Sequence, residues 1–98
     1  MLPIALLDTA RDLPEAWRSR VLARIGGAQL KLVRMDGAAY PEESHAYDEG
    51  LLVLDGEMML RMNESIMCVR AGELCVVPAG VAHSVEPGSH GTLLILDT

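Results

Sequence analysis

Phenylalanine is absent from this chain of 98 residues, and aromatic side chains are confined to Trp17, Tyr40 and Tyr47. A core therefore has to be built from Leu, Val, Ile and Met, and with half of the residues hydrophobic there is enough material for one. The six methionines suit gap-filling in that core, or a pocket that moulds around a ligand. Cysteine is scarce too. Cys68 and Cys75 fit neither a disulfide framework nor the spacing of a zinc ribbon or redox pair. Each lies in an apolar run, so buried, inert thiols in a reducing compartment are expected. Basic charge is thin: eight Lys and Arg spread from Arg11 to Arg70, against a net charge of −6. Nucleic-acid binding needs clustered cations, so it is excluded, and an anionic membrane surface is matched as poorly. No apolar run approaches the ~18 residues of a membrane span. The opening "MLPIALLDTA" lacks a basic start and contains Pro3 and Asp8, unlike a secretory signal. A soluble, cytoplasmic chain forming one domain over 1–98 is the expectation.

Asp12-Leu13-Pro14-Glu15 has the pattern of a helix start, with an acid cap and Pro in the first turn. A short helical turn carrying Trp17 is predicted there. Val21, Ala23 and Ile25 then alternate with other residues, Gly26-Gly27 punctuates, and "AQLKLVRM" alternates again, which predicts a hairpin. From Gly37 the chain reads as strands and turns. "LLVL" is expected to fold back on "EMMLRM" through a tight turn at Asp55-Gly56, with another turn at Asn63-Glu64-Ser65. "IMCV", "ELCVV", "VAHSV" and "TLLIL" follow at short, regular intervals. This spacing predicts an antiparallel sandwich or barrel, preceded by an arm over 1–28.

The segment "GAAYPEESHAYDEGLLVLDG" sets Glu43, His45 and Glu49 immediately before an apolar strand. These acids and histidine form either a metal site or a solvated charged loop. Along a straight strand His45 and Glu49 would stand roughly 13 Å apart. No ion with bonds of about 2 Å could reach both. A shared site requires Ala46-Tyr47-Asp48 to bend the chain, and the residues alone leave both readings open. Taken singly, His83 reads as a hydrogen-bonded histidine at a barrel mouth. Tyr40 reads as packing, and Tyr47, Asp48, His90, Arg34, Arg61 and Arg70 as surface.

The wider spacing is more specific. Gly37, five residues, Glu43, one residue, His45, three residues, Glu49, six residues, Gly56 resembles the first motif of the cupin family, with Glu43 where a first His is usual. Gly72, five residues, Pro78, one residue, Gly80, two residues, His83 resembles the second motif, with Pro87 in place of its final Asn. The resemblance runs from about Leu30 to the C-terminus. It implies an all-β fold, an antiparallel double-stranded β-helix or jelly-roll barrel over 29–98, with a pocket at its wider end. It also implies pairing into a homodimer through edge strands.

The same resemblance assigns metal ligation to His45, Glu49, His83 and the position held by Glu43. Glu43 then has three possible places: fourth ligand, acceptor orienting His45, or solvent. A divalent transition metal is implied, Fe or Mn favoured by the added hard oxygen, with Zn or Ni possible. Two functions are carried forward. One is a metal-dependent enzyme on a small molecule, of dioxygenase, isomerase or lyase type, with its catalytic residues unassigned. The other is a non-catalytic cupin that binds or senses a small ligand in an apolar, Met-rich pocket. No phosphate loop, dinucleotide fingerprint or nucleophile–His–Asp arrangement offers another chemistry.

Overall fold

A computed structural model describes residues 2–98. One helix, α1 (Leu6–Arg11), precedes eight strands: β1 (Arg20–Ile25), β2 (Ala28–Asp36), β3 (Tyr40–Glu43), β4 (Glu49–Met62), β5 (Ser65–Arg70), β6 (Leu74–Val77), β7 (His83–Val85) and β8 (His90–Asp97). All pairings are antiparallel, in the order β1-β2-β8-β4-β7-β3, with β5 and β6 each added to β4. The curled antiparallel sheet is the fold class the sequence predicts.

β4 organises the sheet. Its first half pairs with β6 and β8, from Gly50↔Leu96 to Val53↔Leu93 on the β8 side. Its second half pairs with β5 and β7. Asp55-Gly56 is therefore not a hairpin turn, as the dipeptide suggested, but paired backbone inside one strand of 14 residues, Asp55 facing Thr92 and Gly56 facing Gly91, just after a bulge at Leu54. The partners of "LLVL" are the distant β6 and β8, so the strand passes the bulge and runs on. Gly56 (φ 76) crosses Gly91 (φ 105) so closely that a Cβ on either would collide with the other strand's backbone. The bulge also changes which side chains face inward. Glu49, Leu51 and Val53 are buried before it, Met58 and Leu60 after it. The odd-numbered face becomes the even-numbered one, as one inserted residue requires. Asn63 and Glu64 (φ 51 and 66) make the real two-residue turn, with Met62 paired to Ser65.

The helix also lies elsewhere than expected. Asp12 closes α1 rather than opening a helix, its N–H reaching Asp8 O and Thr9 O at 3.3 and 3.2 Å. Pro14 disfavours helical backbone at Leu13, so the same residue that can begin a helix here ends one. Trp17 sits in the following loop with φ 65. Its backbone N–H donates to Arg34 O at 2.9 Å and its Nε1 to Asp36 Oδ1 at 2.8 Å. Its ring lies 5.6 Å from that of Tyr40. The hairpin of β1 and β2 about Gly26-Gly27 forms as predicted, with Ile25↔Ala28.

The barrel core consists of Val33, Met35, Leu51, Val53, Met58, Leu60, Val69, Val77, Val85 and Leu93. A smaller cluster of Ala10, Leu13, Leu32 and Leu94 seals the outer face of β2 and β8 beneath α1. Adjacent residues such as Leu32 and Val33 are thus both buried, on opposite faces. Cys68 and Cys75 are free but only half-buried, because β5 and β6 expose one face. Cys68 Sγ donates to Glu57 Oε2 at 3.1 Å, which pushes its pKa up, and burial does the same for Cys75. Both shifts reduce thiolate, the direction expected of unreactive thiols, but neither residue is fully buried as expected. Among the described residues no helix is long and apolar enough to cross a membrane.

Candidate metal centre

Three segments meet at one end of the barrel. Glu43 closes β3 and lies opposite His83, which opens β7. Glu49 opens β4, and His45 stands in the link between β3 and β4. That link bends as a shared site requires, and its cause is tertiary. Gly80 N donates to His45 O at 2.7 Å, and Ala79 N donates to Asp48 Oδ1 at 2.9 Å. The Pro78-Ala79-Gly80 turn therefore clamps the bend from outside, and Asp48 is an anchor rather than idle surface.

The bend brings one ligand atom from each of Glu43, His45, Glu49 and His83 within 4.8 Å of the others. His45 Nε2 lies 3.4 Å from Glu43 Oε1 and 3.7 Å from Glu49 Oε2. His83 Nε2 lies 3.2 Å from Glu49 Oε1 and 3.9 Å from Glu43 Oε1. Two ligands each about 2.1 Å from an ion stand roughly 3.0 Å apart at a right angle and about 3.4 Å apart at the tetrahedral angle. The cluster is close to that size. The Glu49 and His83 side chains are buried, at 7% and 5% exposure, whereas Glu43 is 39% exposed.

The hydrogen-bond chemistry calls for a cation. His83 Nδ1 lies 3.1 Å from Val81 O, and a carbonyl only accepts, so Nδ1 carries a proton. In neutral imidazole Nε2 is then a lone pair, and it points at a carboxylate oxygen 3.2 Å away. Acceptor facing acceptor at a buried position is unfavourable until a proton or metal ion lies between them. His45 Nε2 is buried with no hydrogen-bond partner, again beside two carboxylates. A donor set of two imidazoles and two carboxylates fits a divalent transition metal.

A cavity of about 190 Å³ opens beside the cluster. Val33, Leu51, Leu93 and Ile95 make its wall apolar, but Met58 is the one methionine there, so the lining is not Met-rich. Arg34, Arg61 and Arg70, read from the sequence as surface, do not line it. Arg34 donates to Leu13 O, and Arg61 pairs with Glu86 at 2.6 Å. Tyr47 does reach it, its ring stacked on His45 at 5.0 Å and 5°, and burial raises the pKa of its phenol. Tyr40 lines the cavity as well as packing. The cation present is Lys31, whose Nζ donates to Asp97 Oδ2 at 2.8 Å. That bond raises the pKa of Lys31, partly opposed by burial. Sequence reading missed this pair, although a signal existed. Lys31 shares the strand parity of Val33 and Met35, as Asp97 shares that of Leu93 and Ile95. Those positions face the barrel interior.

A small antiparallel barrel with an inward His and Glu cluster at its mouth defines a class of protein. Residues 32–98 match the cupin domain, and the chain belongs to that family. The chain is 37% identical over 60 residues to the quercetin 2,3-dioxygenase of Bacillus subtilis, across 60% of this chain but only 18% of that enzyme's length. The crystal structure of a cupin-2 domain protein from Shewanella frigidimarina is similar over 95% of this chain and 91% of its own, with TM-score 0.86 and 26% identity. A Neisseria meningitidis protein is similar over 98% of both chains, with TM-score 0.83 and 27% identity.

Proposed function

We propose that this cupin binds a divalent transition metal through His45, Glu49, His83 and Glu43, and acts as a metal-dependent enzyme on a small molecule. The observation that carries the metal reading is the pair of buried imidazole Nε2 atoms set among carboxylate oxygens, that of His45 with no hydrogen-bond partner and that of His83 3.2 Å from Glu49 Oε1. Glu43 is the fourth ligand rather than an orienting acceptor. Its contact with His45 is through Nε2, the atom that would ligate, whereas an orienting carboxylate would take the other nitrogen. Two carboxylates make a hard donor set, which favours Fe or Mn over Zn or Ni.

When bound, such an ion polarises a carbonyl or enolate, or activates dioxygen. The chain's own residues supply the rest. The apolar wall excludes water from the substrate. Tyr47 holds the His45 ring by stacking and presents a half-buried phenol to the cavity. This phenol and the Lys31–Asp97 pair give the pocket polar groups beyond the ligands, which supports an enzyme over a purely binding cupin. The similarity to a dioxygenase supports oxidative chemistry, with dioxygenase, isomerase and lyase types all open to the same donor set.

The test is metal content of untagged protein, in the wild type and in His83→Ala. Near one transition metal per chain, absent from the variant, is expected. Metal-free protein that stays so after anaerobic incubation with Fe(II) and Mn(II) would sink the reading.

The chain is also proposed to pair as a homodimer. Ile66 on β5 and Leu74 and Val76 on β6 are about half exposed, at 48%, 58% and 53%, on strands with a free edge. Light scattering should give twice the chain mass for the wild type and the monomer mass for Leu74→Glu/Val76→Glu.

A further inference from the structure

Among the described residues, two buried side-chain polar atoms have no hydrogen-bond partner: His45 Nε2 and Asp97 Oδ1. Both belong to residues lining the same cavity. The first is explained by the candidate metal. The second is not. Asp97 is a carboxylate 4% exposed, and Lys31 satisfies only its Oδ2. A buried acceptor left unsatisfied costs about 1–3 kcal/mol, more when charged, and natural proteins seldom leave one without a use.

We propose that Lys31 and Asp97 form a second polar pole of this pocket, a subsite that receives a neutral hydroxyl group of the ligand. Oδ1 exposes almost no surface, so the Asp97 carboxylate turns toward the cavity as the ligand enters; the hydroxyl then donates to Oδ1 and accepts from Lys31 Nζ, which has two N–H groups left beyond its bond to Oδ2. A hydroxyl or enol meets both demands with one oxygen. An ether, a ketone or a carboxylate accepts but cannot donate. The charges favour the same class. Glu43, Glu49 and Asp97 face the cavity with Lys31, and a divalent ion at the His and Glu cluster would bring the sum to zero. An anionic group would meet Asp97, and the one ammonium is already paired. Size narrows the class further. About 190 Å³ falls below the roughly 300–1,000 Å³ of drug-sized ligand sites. The substrate class is thus a small, uncharged, hydroxyl-bearing molecule whose apolar body lies against Leu51, Met58, Leu93 and Ile95. The inference rests on the pocket being the substrate site, as proposed above.

The test uses phenol, anisole and toluene as probes of nearly one shape. Binding is followed by protein NMR in metal-free and in Zn(II)-loaded protein. Phenol is expected to bind at least about tenfold more tightly than anisole in both forms, with shifts at Lys31 and Asp97. The preference should vanish in Lys31→Met/Asp97→Leu, which removes both charges and leaves no orphan. Equal affinity of the wild type for phenol and anisole would overturn the proposal, and this comparison needs no variant to fold. A preference seen only with Zn(II), or one that survives the double substitution, would overturn it as well. A phenol preference in protein that takes up no metal would uphold the subsite and discard the metal reading alone.

Discussion

The two poles of the pocket are built on opposite electrostatic plans. At the His and Glu pole, two imidazoles stand among two carboxylates, and the negative charge there calls for a proton or a cation. At the Lys31–Asp97 pole the charge is already balanced, and what remains is one spare acceptor beside spare donors. The first plan calls for an ion, the second for a hydrogen-bonding group. The poles also differ in construction. The ligand cluster is gathered from the ends of β3, β4 and β7 and an intervening bend, where side chains can close around an ion. The other pole joins β2 to the end of β8, two strands in register from Gln29↔Asp97 to Asp36↔His90.

The comparison predicts unequal responses to perturbation. The largest should come from metal. At a free concentration of 100 times Kd, an ion binding only the native state adds about 2.7 kcal/mol. For a chain of this size that raises Tm by roughly 10 °C or more. Calorimetry with Mn(II) or Fe(II) under anaerobic conditions should find this in the wild type and lose it in His83→Ala.

Next is Lys31→Met, which strands the buried Asp97 carboxylate and should cost about 2 kcal/mol in chemical denaturation. Lys31→Met/Asp97→Leu should recover most of it, and neither substitution should change metal content. The pH dependence follows from the bond to Asp97, which raises the pKa of Lys31 above its ordinary 10.5. The protonated pair therefore stabilises the fold fully below that value, and its contribution fades as pH rises through the folded-state pKa. An alkaline unfolding limb present in the wild type should be weaker in the double variant.

The smallest effect belongs to Glu43→Gln. It keeps an oxygen at the most exposed ligand position while removing its charge, and metal affinity should fall about 10-fold. No change in affinity would return Glu43 to solvent and leave three ligands.

Much of the metal pole was legible before any coordinates. Glu43, His45, Glu49 and His83 are picked out by the resemblance to the two cupin motifs, and all four meet in space. The Lys31–Asp97 pole was not, since its partners are 66 residues apart and neither sits in a motif. Parity with Val33 and Leu93 was the available clue. It was obscured because β2 and β8 are apolar on both faces, so alternation does not announce which face is inside. Asp55-Gly56 misled for a related reason. A glycine suited to positive φ serves a hairpin turn or a close strand crossing beside a bulge equally well, and only the partner strand decides between them. At α1, Pro14 fits the start or the end of a helix, and the apolar Leu6–Arg11 segment settled it by packing Ala10 against Leu32 and Leu94.

The sequence by itself determined the strand-rich architecture and the aliphatic core, which follow from local periodicity and composition, and its resemblance to the cupin motifs picked out the four residues gathered at one end of the barrel. Tertiary structure alone decided that β4 runs unbroken past Gly56, that the bend after His45 is clamped by the Pro78–Gly80 turn, and that Lys31 meets Asp97. Each of these is a contact between segments far apart in the chain. Local sequence sets which conformations a segment can adopt, and the distant partner sets which of them is lowest in free energy.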